Sequence, residues 1–193
     1  MKTELTLEII RERWSPYAFS NNHIEEFRLK AMFEAAGRAP SCFNEQPWMF
    51  VYSTCEDEDV FRDYLGFLEE SNRVWAQKAF ALIIVLARKR FTHNGKPNRF
   101  ALYDTGMAVS CLSLQALAFD IYIHQMGGFS TEKVRAYFRL GDDVEPVTVM
   151  AVGYNGTGDD LPVEIARKDE VRRPRKQLND YAFRNKLYNP AFR

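Results

Sequence analysis

The chain has no surplus of either charge. Its 26 Lys and Arg residues balance 26 Asp and Glu residues, for a formal net charge of zero. No global field is present to draw in nucleic acid or an acidic membrane, and a low net charge is compatible with self-association. Cysteine is scarce. Cys42, Cys55 and Cys111 are odd in number and widely spaced, with neither zinc-ligand nor dithiol spacing, which argues against a disulfide framework and fits a reducing compartment. Long apolar runs are missing too. The longest, AFALIIVLA at 79–87, is too short to span a bilayer and predicts a central strand. The opening MKTELTLEIIRERW carries charges throughout and has no apolar run of signal-peptide length. The expectation is a soluble, cytoplasmic protein with no membrane or nucleic-acid partner. Neither GxGxxG nor a P-loop occurs, so any nucleotide is held by another device. His23, His93 and His124 are isolated, with no metal spacing and no Ser or Cys partner pattern, so neither a metal site nor a hydrolase is expected.

What is present is a folded chain of 193 residues, 46% hydrophobic and 14% aromatic, long enough for one domain with a sizeable core. Residues 5–13 predict a short amphipathic helix, with Leu7, Ile10 and Trp14 spaced for one face. Asn22 followed by Glu25 predicts a capping-box start for a helix running to Gly37. Residues 48–54 predict a buried strand, and Thr54 can cap a helix beginning near 56–59 with acids in its first turn. Residues 61–70 and 72–78 supply two short helices, and 80–87 the central strand. Residues 88–100 predict a polar, mobile linker with a turn at Asn94-Gly95. Residues 103–119 predict a helix apolar on more than one side, 121–126 a strand, a helix follows from Ser130, and 144–155 predict the last strand. Beyond Gly156 the sequence reads as polar, with basic clusters and the aromatics Tyr181, Phe183, Tyr188 and Phe192. Strands alternating with helices predict an α+β fold layered as a sandwich. No repeat or second-domain linker occurs, so a single domain over 1–193 is expected.

Residues 39–48, APSCFNEQPW, lie between a helix and a strand and follow neither pattern. Pro40 and Pro47 stiffen the segment, and a stiff connector suits groups that must be held still for a ligand. The stretch resembles the APSSxNxQPW loop of the nitroreductase-like family of FMN-dependent enzymes. Other stretches follow in the family's order. RWSPYAF resembles its RRSxRxF segment, DTGMAVSCL the DxGxAxxNL start of its core dimer helix, HQMGGF a strand-end motif, and EVRRPRK a late basic element. Gly153-Tyr154 matches the terminal strand's usual GY.

The resemblance implies a three-layer α-β-α sandwich with a mixed, mostly antiparallel sheet. It also implies an obligate homodimer with FMN at the interface, and a C-terminal arm from about residue 175 packing on the partner. Phosphate and flavin contacts fall to Arg13 and Ser15, with Trp14 and Tyr17 standing where basic residues are common. Neutralisation of the phosphate is therefore expected partly from elsewhere. Pro40, Ser41 and Cys42 would line the partner's flavin, and the Asn44 amide would meet the ring edge. Gln125, Met126, Gly127 and Gly128 would place backbone beside flavin N5, and Arg172 or Arg173 would meet the phosphate. The implied activity is NAD(P)H-dependent reduction of nitro compounds, quinones or similar acceptors by ping-pong hydride transfer. Flavin N5 carries the hydride, and no catalytic side chain is expected. Arg13 would supply positive charge near the pyrimidine end. The alternative is an FMN-binding or ligand-sensing dimer without significant turnover, for which Trp14, Tyr17 and the Cys111 that replaces the family's Asn leave room.

Overall fold

Alternate side chains of the central apolar run enter two different cores. In the computed structural model, which describes residues 5–191, Ala81–Arg88 form β3. Ala81, Ile83 and Val85 pack into one cluster, while Leu82, Ile84 and Leu86 pack into another. A strand buried on both faces needs no polar alternation, which is why this stretch is continuously apolar. The remaining strands are β1 (Phe19–Ser20), β2 (Trp48–Thr54), β4 (Ile121–Met126) and β5 (Val144–Asn155). Every pairing among them is antiparallel. The long β5 takes β3 along one edge and β4 along the other, and β1 continues the β3 edge beyond Val152. β2 closes the far side against β3.

Helices α2 (Glu26–Ala36) and α5 (Ala101–Leu117) cover one face, burying Leu29, Met32, Ala108 and Leu112. The other face is covered by α3 (Glu58–Leu65), α4 (Glu70–Ala76), α6 (Thr131–Phe138) and α7 (Val163–Glu170), through Phe61, Trp75, Val134 and Ile165. The result is the expected three-layer arrangement. Ser130 starts α6 as foreseen, its hydroxyl accepting from the Lys133 amide at 3.2 Å.

Several local expectations change. The first helix, α1, spans only Glu8–Glu12 and buries no residue, leaving Leu7 and Ile10 exposed. The N-cap of α2 is Glu25, without a side-chain cap. Glu25 pairs with Arg28 at 2.8 Å, and the Asn22 amide donates to the Ser20 hydroxyl, so no capping box forms. β2 is an edge strand and is only partly buried. Helix α3 begins at Glu58, inside the expected 56–59 start and with the expected acids in its first turn, whereas α4 begins at Glu70, two residues before the expected start. Within residues 88–100 the chain turns back as a hairpin between Arg90 and Pro97. An Arg90–Pro97 bridge holds it, the Phe91 amide donates to the Lys96 carbonyl, and Gly95 turns at φ +68°. Helix α7 lies in the stretch read as polar tail. Residues 1–4 of the charged opening, and Phe192 of the tail aromatics, lie outside the described residues. Among the described residues no helix is long and apolar enough to cross a membrane.

Candidate functional site

Two anchors hold the backbone of the segment before β1. The Asp169 carboxylate, at the end of α7, accepts from the Tyr17 amide at 3.0 and 2.8 Å and from the Ala18 amide at 2.7 Å. On β4, the Nδ1 of His124 lies 2.8 Å from the Pro16 carbonyl and so donates to it. The His124 ring packs against Trp75 and Tyr17, at 4.5 and 4.6 Å between centroids. Burial pushes its pKa below the ordinary value, outweighing the Pro16 carbonyl and Asp169, which act the other way.

These anchors open a cavity of about 470 Å³ between the N-terminal segment, β4 and the chain after α7. Arg11, Arg13, Lys168, Arg172, Arg173 and Arg175 bring positive charge to its lining, with Trp14, Ser15, Tyr17, His124 and Val171 between them. Among the described residues no carboxylate belongs to the lining. Arg13 donates to the Ser15 hydroxyl at 3.4 Å, and partial burial with the guanidiniums of Arg175 and Arg172 depresses its pKa. Mutual repulsion of this kind is relieved by an anion. Both aromatic residues carry a cation. The Arg172 guanidinium lies 5.1 Å from the Trp14 ring centre and the Lys168 ammonium 5.0 Å from that of Tyr17.

Of the residues singled out in the sequence, the cavity gathers Arg13, Trp14, Ser15, Tyr17, Arg172 and Arg173. Gln125, Met126, Gly127 and Gly128 continue the chain just past His124. Met126 is buried, whereas Gln125 and Gly127 are exposed. A Cβ on Gly127 would meet nothing within 4 Å, so that backbone is open to a close neighbour. Gly128 is fixed instead, its carbonyl accepting from the Glu69 amide and the Asn72 side chain, each at 3.0 Å.

Pro40, Ser41, Cys42 and Asn44 do not line this cavity. Their loop folds as a short 3-10 turn, Cys42–Asn44, with left-handed backbone at Phe43, Asn44 and Gln46. Three non-glycine residues at positive φ are costly unless their surroundings hold them. The buried Asp104 carboxylate accepts from the Cys42 amide at 2.9 Å, and the Ser41 hydroxyl accepts from the Gln46 amide at 3.0 Å. Glu45 ties the loop to the hairpin by accepting from the Thr92 amide at 2.7 Å. Its burial alone would raise its pKa, but bonds from Thr92 and His93 outweigh that and hold it low. Phe43 projects beside Phe91 and His93, at 5.8 and 5.9 Å between centroids, and is 81% exposed. One chain thus carries a cation-lined cavity and, apart from it, an anchored loop.

Sequence reasoning missed Arg11, Lys168, Arg175, His124 and Asp169. A signal for the helix that brings in Lys168 and Asp169 was available. Pro162 precedes an acidic first turn at Glu164, and Arg167 and Lys168 stand in the last turn.

Comparison with known proteins gives consistent findings. The model of the Nitroreductase family matches residues 10–74. A solved structure described as an oxidoreductase containing FMN is 30% identical, with a TM-score of 0.91 over 98% of this chain and 96% of its own. An uncharacterised 15.4 kDa protein of Mycolicibacterium smegmatis is 32% identical over 133 residues, covering 69% of this chain and 88% of its own. A nitroreductase family protein from Clostridium novyi NT shares the fold at 18% identity, with a TM-score of 0.67 over 95% of each chain.

Proposed function

The chain belongs to the nitroreductase family, and from that premise we propose that it is an FMN-dependent oxidoreductase drawing electrons from NADH or NADPH. The observation that carries the reading is the cavity that, among the described residues, is lined by several cations, one serine hydroxyl and no carboxylate. This donor set fits a phosphate monoester dianion, since guanidinium forks and a hydroxyl supply directed donors as well as charge. The FMN content of the solved relative at 30% identity supports the same assignment.

When bound, FMN supplies the two-electron chemistry that no side chain here provides. The protein's part is binding and orientation. Arg13, Ser15, Arg172 and Arg173 hold the phosphate, and Trp14 and Tyr17 wall the cavity between them. Gln125 and the open backbone of Gly127 would flank the ring, with Met126 and Gly128 locking that turn into the sheet and α4. In this reading Pro40, Ser41, Cys42 and Asn44 complete the site of a second copy. Their anchored turn lies off the cavity of its own chain, and the Asn44 side chain offers both a donor and an acceptor to a ring edge. The protein is then a homodimer acting in the cytoplasm, on oxidised small molecules such as nitro compounds or quinones. The single domain sends its C-terminal arm, from about residue 175, onto the partner.

Anaerobic addition of NADH or NADPH to the FMN-loaded protein tests the activity. Bleaching of the visible flavin band by either donor, and its return on adding a nitroaromatic or quinone, is the expected result. A band that persists with both donors would leave a flavin-binding protein without turnover.

A further inference from the structure

Tyr17 and Lys168 meet at the cavity from opposite ends of the chain, one just before β1 and the other in the last turn of α7. The 5.0 Å between the ammonium and the ring centre is inside the ~6 Å within which a ring face attracts a cation. The next residue sets the register between the two segments. Asp169 accepts from both the Tyr17 and the Ala18 amides, so α7 docks with Lys168 over the Tyr17 ring. A lysine in the last turn of a helix ordinarily faces water and complements the helix dipole. Here the ring and the docked register bring it instead into one lining with Arg13, Ser15 and Arg172. Arg172, the other cation seated on a ring, shares its charge with Glu12 at 3.7 Å and also donates to the Arg11 carbonyl at 3.4 Å.

We propose that Lys168 is a phosphate-binding residue of this site, seated on Tyr17 so that the ring position brings in a cation it does not itself carry. The inference rests on the FMN reading above and adds a residue to it. It also accounts for an aromatic residue at 17 in a cavity otherwise built for an anion: the phenol ring is the platform and α7 supplies the charge.

Riboflavin has the same ring system as FMN and no phosphate, so the pair isolates the phosphate contribution. Apoprotein of the wild type, Lys168→Met and Lys168→Arg is titrated with each ligand by flavin fluorescence. Lys168→Met is expected to weaken FMN about tenfold, as for loss of one charge-assisted contact, and to leave riboflavin within about twofold. Lys168→Arg is expected to restore most of the FMN affinity. Unchanged FMN binding by Lys168→Met, or equal losses for both ligands, would overturn the assignment while leaving the FMN reading intact. A wild type that binds no FMN would overturn that reading and the inference with it.

Discussion

Two residues of the cavity lining have pKa values lowered by their surroundings. Arg13 is a cation among cations, held below its ordinary pKa by burial and by Arg175 and Arg172, a state that an anion relieves. Burial makes the charged form of His124 harder to reach, with Nδ1 donating to Pro16. Its folded pKa lies below the ordinary 6.5, so between those two values the unfolded chain binds more protons. Stability therefore rises with pH across that window. The contribution is complete above the unfolded value and is lost as pH falls through the folded one. Melting temperatures of the wild type and His124→Gln at about pH 7 and about pH 5 check this linkage. The wild type is expected to lose more on acidification than the variant, and equal losses would contradict the assignment. At this scale the sequence was partly legible. Arg13, Ser15 and Arg172 stand in recognisable strings. Asp169 and Lys168 do not, because their partners at 17 and 18 are more than 150 positions away and leave no local pattern.

The elements that position the site differ in how they are held. β3, β4 and β5 are fixed by paired backbones and buried side chains, whereas the loop at 40–46 depends on a few side-chain bonds. Asp104, 2% exposed in the first turn of α5, is the bond that joins this loop to the dimer-helix candidate. Asp104→Ala leaves the Cys42 amide without that acceptor and releases the left-handed turn beyond it. The expected cost is about 2 kcal/mol in denaturant unfolding. A change below about 0.5 kcal/mol would show that the loop is held by other means. Strands 48–54, 121–126 and 144–155 were legible with their bounds, because apolar runs between turn residues mark them plainly. The N-cap of α2 was misplaced because Glu25 engages Arg28, three residues on, instead of turning back to the Asn22 backbone. Helix α7 was missed because it buries only Ile165, too little apolar periodicity to stand out in a charged stretch.

For the whole molecule, the distribution of exposed apolar surface matters most. Leu102 and Tyr103 on α5 are 52% and 69% exposed, and Tyr181, Leu187 and Tyr188 of the tail are exposed as well. Surfaces of this kind are covered when a second copy packs on them. The same packing would bring the loop at 40–46 to a neighbour's cavity, which its own chain does not line with it. Cavity, loop and uncovered helix face are the parts of the FMN site that we propose two chains make together. Sedimentation velocity of the FMN-loaded protein, followed at the visible flavin band, tests that account most directly. It predicts flavin absorbance travelling with a species of twice the 22.5 kDa chain mass. Flavin travelling at a single chain mass, or left behind by the protein altogether, would contradict it.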